Sequence, residues 1–160
     1  MVADSDTNPG PCQRSLASRA SWSVPRQPCQ NAAVIDHVSL QVTDVAASQA
    51  FYQAVLAPLG LQAAYTDGEA VGFADSERAP FWIGPASDSS RPRELHIAFT
   101  AADRTAVHGF HAAALGISAE ILHAPRIFPE YHANYFGCFV RDPDGHSIEA
   151  VCHLHVPGAE

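Results

Sequence analysis

Val34-Ile35-Asp36-His37-Val38-Ser39-Leu40-Gln41-Val42 alternates apolar and polar side chains with the period of two that a half-buried strand requires. Val38, Leu40 and Val42 share one face; His37, Ser39 and Gln41 share the other. Asp44 follows as a helix cap, and Phe51, Val55 and Leu56 form an apolar stripe that Pro58 and Gly60 bring to an end. Short strands are expected near 61–66, 70–75 and 80–84, with turn residues Asp67-Gly68 and Asp75-Ser76 between them. Ser87 to Pro92 reads as a polar linker.

Sliding the chain by 59 residues lays it over itself without a gap. His37 falls on His96, Val38 on Ile97, Leu40 on Phe99, Asp44 on Asp103, Phe51 on Phe110, Ala54 on Ala113 and Leu56 on Leu115. The second half therefore repeats the first: a strand near 94–100, a capped helix near 103–115, then strands. The last two, near 134–141 and 146–153, flank Asp142-Pro143-Asp144-Gly145, a hairpin turn. The expected fold is α+β, with two βαβββ modules over about 33–86 and 93–155.

Residues 1 to about 32 carry Pro9, Pro11, Pro25 and Pro28, many Ser and no apolar periodicity, so a loosely ordered tail is expected. It has no continuous apolar stretch of the secretory kind. Its Ser and Arg content would suit a transit peptide, against which Asp4 and Asp6 count. The formal charge is −8 and all nine basic residues are Arg, without a cluster, which argues against a nucleic-acid or anionic-membrane partner. No apolar run is long enough to span a bilayer. Cys12, Cys29, Cys138 and Cys152 lack zinc-finger or CxxC spacing, and reduced thiols in a cytoplasmic protein are expected.

Each helix must cover one face of its sheet, and the apolar strand faces suit that role. In the last strand Ile148 and Ala150 share a face, and Ser147, Glu149 and Val151 share the other. His37, His96 and Glu149 therefore lie on faces turned away from the helices, and meet if the two sheets curl around a common cleft. Two imidazoles and one carboxylate suit a divalent first-row ion, here Fe(II), Mn, Ni or Zn. Three ligands would leave positions open for a small-molecule substrate.

These residues resemble the vicinal-oxygen-chelate superfamily, which includes glyoxalase I, type I extradiol dioxygenases, fosfomycin-modifying transferases, methylmalonyl-CoA epimerase and bleomycin-binding proteins. The matching text is Ile35-Asp36-His37-Val38, Ser48, Phe51-Tyr52, Leu56-Ala57-Pro58-Leu59-Gly60, Leu95-His96-Ile97-Ala98-Phe99 and Asp142-Pro143-Asp144-Gly145-His146-Ser147-Ile148-Glu149. The resemblance implies helices on the outer face of a U-shaped mixed sheet around a metal cleft, with the family's ligand positions falling on His37, His96 and Glu149. It also implies a homodimer, in which short chains share a site. Glyoxalase I and the epimerase use a fourth ligand at the end of the first module, where this chain reads Pro80-Phe81-Trp82-Ile83-Gly84. The resemblance thus implies a metal-dependent enzyme chelating vicinal oxygens, with extradiol dioxygenase-like or glyoxalase-like chemistry. The alternatives are thiol transfer of the fosfomycin-transferase kind and non-catalytic binding of a drug or aromatic molecule.

Tyr131, His132 and Tyr135 precede the final hairpin and serve either as acid/base and orienting groups or as the seal of the cleft mouth. Phe81 and Trp82 form either a substrate wall or core packing, and Ser39 and Gln41 share the face of His37 as substrate contacts. His108 and His111, three apart on the second helix, read as surface residues; His146 reads as the start of a strand, and His153 as peripheral.

Overall fold

The computed structural model describes residues 35–76, 78–87 and 93–154. The tail expected over residues 1–32 lies outside them. Strands β1 (Val38–Val42), β2 (Gln62–Asp67), β3 (Ala70–Ala74) and β4 (Phe81–Pro85) form one sheet; β5 (His96–Thr100), β6 (Ile121–Ile127), β7 (Phe136–Arg141) and β8 (Ser147–Cys152) form the other. The strand orders are β1-β4-β3-β2 and β5-β8-β7-β6, each with a parallel first pair and antiparallel remainder. Helix α1 (Val45–Leu56) follows β1 and α2 (Arg104–Gly116) follows β5, so the chain is two βαβββ modules, an α+β fold.

Both helices start where expected and for the same reason. Asp44 Oδ1 accepts from the Ala47 N–H at 3.0 Å, and Asp103 Oδ1 accepts from the Ala106 N–H at 2.8 Å. Each satisfies an amide that the first turn leaves without an intrahelical partner. Ser48, Phe51, Tyr52, Val55 and Leu56 recur at helical spacing and are buried; Val107, Phe110 and Ala114 do the same on α2. A short 3-10 turn at Ala57–Leu59 ends α1, and Gly60 closes it at φ +85°, which favours glycine. The repeat breaks at Leu56 and Leu115, the first fully buried and the second 55% exposed.

Leu40, Val42, Phe81 and Ile83 of the first sheet enter one core with Cys138, Val140, Ile148 and Ala150 of the second. Polar contacts reinforce that junction. The Tyr52 hydroxyl donates to Asp142 Oδ2 at 2.6 Å, and the Thr43 N–H donates to Asp144 Oδ1 at 3.0 Å. The Ser48 hydroxyl reaches Asp144 Oδ2 at 3.4 Å. The turn expected only to join β7 to β8 thus also clasps the first module, with both aspartates buried. Burial, then the Asp142 charge, pushes the Tyr52 hydroxyl far above its ordinary pKa, so it remains a donor. Tyr52→Phe strands the Asp142 oxygen and is expected to lower stability by about 1–3 kcal/mol, measured by urea unfolding with an unchanged m-value.

Among the described residues, no helix is long and apolar enough to cross a membrane.

Candidate metal centre

On the sheet faces opposite the helices lie two separate groups of polar side chains. In the second module β8 pairs with β5 so that Ala98 lies opposite Glu149, and with β7 so that Phe139 lies opposite Glu149. His96, at the start of β5, reaches diagonally across. Its Nε2 lies 3.1 Å from Glu149 Oε2 and its Nδ1 lies 3.1 Å from the Ser147 hydroxyl. The Glu149 side chain is 1% exposed and its Oε1 makes no well-formed hydrogen bond. Tyr135 comes close enough to shift its proton affinity: burial raises the Glu149 pKa, and Tyr135 and then His96 pull it back in part. The same proximity, after burial, raises the Tyr135 hydroxyl and keeps it protonated.

Gly137 makes room for this carboxylate. A Cβ there would sit 2.8 Å from Glu149 Oε1 and 3.4 Å from the Tyr135 ring. Because the nearest atom ends a flexible side chain, Gly137→Ala is expected to keep the fold and displace the carboxylate. If Glu149 is a metal ligand, affinity for a divalent ion should fall about tenfold or more, read by competition with a chromophoric chelator.

The first module presents His37. Its Nδ1 lies 2.8 Å from Asp36 Oδ1, which holds the Nδ1 proton and leaves Nε2 as the acceptor nitrogen. Around it is a cleft of about 550 Å³ lined by Ser39, Tyr65, Asp67 and Trp82. The parallel registers, Ser39 opposite Trp82 and Ala98 opposite Glu149, make Trp82 the counterpart of Glu149. A second cleft of about 530 Å³, between α1 and the turn after β7, contains none of the expected site residues; its Arg141 is already paired with Glu94 and Glu120.

The structure brings together His96, Glu149 and Tyr135, with Tyr131 and His132 beside Tyr135 at ring separations of 4.8 and 5.4 Å. It does not bring His37 to them. Among the described residues of one chain no three His, Cys, Asp or Glu side chains gather closely enough to hold an ion. Period two assigns a face and leaves open where that face lies relative to the other module's.

Of the two readings for Phe81, substrate wall and core packing, the structure shows the second: it is 2% exposed, packed in the core against Tyr52 at 4.8 Å and Phe99 at 5.2 Å. Adjacent strand residues take opposite faces, so only Trp82 lines the cleft, with Ser39; Gln41 is exposed on the same face and is not part of the lining. His146 is wholly buried, its Nδ1 accepting from the Leu95 N–H at 3.1 Å. His153, read as peripheral, lies 2.9 Å from His132 Nε2 through its Nδ1. His123 stacks edge-on against Phe139, 5.3 Å away, on the Glu149 face. Nothing in the alternation of residues 121–127 marks it, because Pro125 and two register shifts interrupt the strand. Cys138 and Cys152 are free, buried thiols; burial and then the Glu149 charge push Cys138 up to about 12, which excludes it as a nucleophile at neutral pH.

The fold has counterparts among solved structures. A glyoxalase/bleomycin resistance protein from Albidiferax ferrireducens is 22% identical, with a TM-score of 0.67 over 75% of this chain and 99% of its own. A lactoylglutathione lyase from Agrobacterium tumefaciens is 21% identical, with a TM-score of 0.56 over 75% and 93%. A glyoxalase/dioxygenase from Nostoc punctiforme is 20% identical, with a TM-score of 0.58 over 88% and 100%. No functionally curated protein matches the chain. Residues 34–150 match the family model of the Glyoxalase/Bleomycin resistance protein/Dioxygenase superfamily, and the chain belongs to that superfamily.

Proposed function

We propose that the protein is a metal-dependent enzyme acting on a small molecule with vicinal oxygens, and that His37, His96 and Glu149 hold one divalent ion. The observation that carries this reading is Glu149: a wholly buried carboxylate with one oxygen against His96 Nε2 and the other without a well-formed hydrogen bond. A buried charge left so is costly in a merely structural role. A cation between Glu149 and His96 would satisfy the open oxygen and take the imidazole lone pair once Nδ1–H donates to Ser147. The donor set therefore fits an ion of the Fe(II), Mn, Ni or Zn kind. Bound there, the ion supplies Lewis acidity toward substrate oxygens.

The chain's own groups do the rest. Tyr135, held protonated, lies close enough to the carboxylate to offset part of the cost of burying it. His132 Nδ1 accepts the Asn134 N–H at 3.2 Å, so its Nε2 carries the proton and donates to His153 Nδ1. That pair and the exposed Tyr131 stand beside Tyr135, where they would orient a small molecule next to Glu149.

The reading includes a cytoplasmic homodimer with the site shared between chains. His37 and His96 are both half-exposed and flank or begin edge strands, β1 and β5, each paired on one side only. Laying β1 of one chain beside β5 of another would supply His37 to the His96–Glu149 pair twice, once per site, as two-fold symmetry requires. Ring-opening oxygenation and glyoxalase-like isomerisation both suit this donor set. A binding-only role is favoured by one observation, the aromatic cleft beside His37, which does not need the ion.

Plasma mass spectrometry on untagged protein prepared without oxygen tests the proposal. About one equivalent of iron, manganese, nickel or zinc per chain is expected, falling below about a tenth in folded His96→Ala. No metal above background after incubation with each ion would leave the binding role.

A further inference from the structure

The open face of the first sheet is built as a shelf. One row across it runs Ser39, Trp82, Gly72, Tyr65, from β1 through β4 and β3 to β2. A Cβ on Gly72 would lie 2.8–2.9 Å from three atoms of the Trp82 six-membered ring, so the indole lies directly over bare backbone. Its Nε1–H is tied to the Ala79 carbonyl at 3.0 Å, and the Tyr65 ring stacks beside it at 6.3 Å and 27°. Two neighbouring rings, one pinned by its own hydrogen bond and the other tilted from it by 27°, line a cleft of about 550 Å³.

Asp36 and Asp67 supply carboxylates, Ser39 a hydroxyl and His37 an imidazole held against Asp36 at 2.8 Å; among the described residues neither Lys nor Arg lines the cleft, and the chain as a whole carries −8. Ring faces are electron-rich and attract cations, and the carboxylates add to that attraction while opposing anions. We infer that this cleft binds planar aromatic molecules that carry a positive charge. The inference rests on the proposed function only in taking the His37 face as the substrate side; the shelf needs no metal to bind. It also disfavours phosphonates and carboxylates as occupants.

The test follows the Trp82 indole N–H signal in proton–nitrogen correlation spectra of the full chain at pH 8, assigned against Trp22→Phe, since the protein has two Trp. The probes are N-methylquinolinium, neutral quinoline and 1-naphthoate. The cation is expected to bind about tenfold more tightly than quinoline, and naphthoate more weakly than either. Asp67→Asn, at an exposed residue, is expected to weaken the cation about threefold and leave quinoline unchanged. Tyr65→Leu, which leaves the Trp82 signal in place, should weaken both. Cation binding that persists in the chelator-treated parent separates this inference from the metal reading. Quinoline or naphthoate binding as tightly as the cation, or no probe moving the Trp82 signal, would overturn it.

Discussion

Glu149→Gln is expected to make the metal-free protein more stable at pH 8 and, on the proposed reading, to abolish divalent-ion binding. The carboxyl is buried and its pKa is raised, so the folded state favours the neutral form. A folded pKa above the unfolded one gives a contribution that is complete below the unfolded value, near 4.3 for Glu, and is lost as pH rises through the folded value. Above that window the charged carboxylate costs stability, because His96 and Tyr135 offset only part of its desolvation. Glutamine keeps the shape and removes the charge. A gain of about 1–2 kcal/mol, or roughly 3–6 °C in Tm, is expected at pH 8, shrinking toward zero near pH 4. Calorimetry of chelator-treated proteins at both pH values measures it. Equal or lower stability of the variant at pH 8 would mean that the carboxylate is satisfied within the chain. Added metal should then stabilise the parent and leave the variant unmoved, since only a site that binds the native state shifts unfolding by mass action.

Such opposition between stability and binding is what the proposed reading predicts, and the sequence alone does not reveal it. Alternation in Val34–Val42 and the 59-residue repeat make the strand faces, both Asp caps and the module count legible, because period and capping are local. Leu40 and Val42 are buried and Ser39 and Gln41 exposed, as the alternation requires. Even so, β1 starts only at Val38; Ile35 to His37 lead into it without pairing. Strand β6 is illegible for a physical reason: Pro125 and two register shifts break the period on which recognition depends. Placing Phe81 with Trp82 on one wall overlooked that neighbours in a strand face opposite ways. The Asp142–Gly145 turn is visible as a hairpin, but its hold on Tyr52, Thr43 and Ser48 spans about ninety residues or more and leaves no local trace. His153 and His123 are missed because each acts through a ring contact with a residue remote in sequence. Where the His37 face lies relative to the His96 face is a matter of module packing and, in the proposed reading, of a second chain.

That last point carries the second large effect and the most direct test. His37→Ala and Glu149→Ala are each expected to abolish metal binding. In a shared arrangement, however, a mixed dimer of the two holds one site with both substitutions and one with neither. Equal amounts, unfolded and refolded together, form about half mixed dimers if association is random, and half the sites in those are intact. The measurement is metal content of that mixture against each variant alone and the parent, after removal of free ion. Recovery of about one quarter of the parent's metal is predicted. A mixture as empty as its components, with mixed dimers verified by mass, would contradict a site built from His37 of one chain and His96 and Glu149 of another.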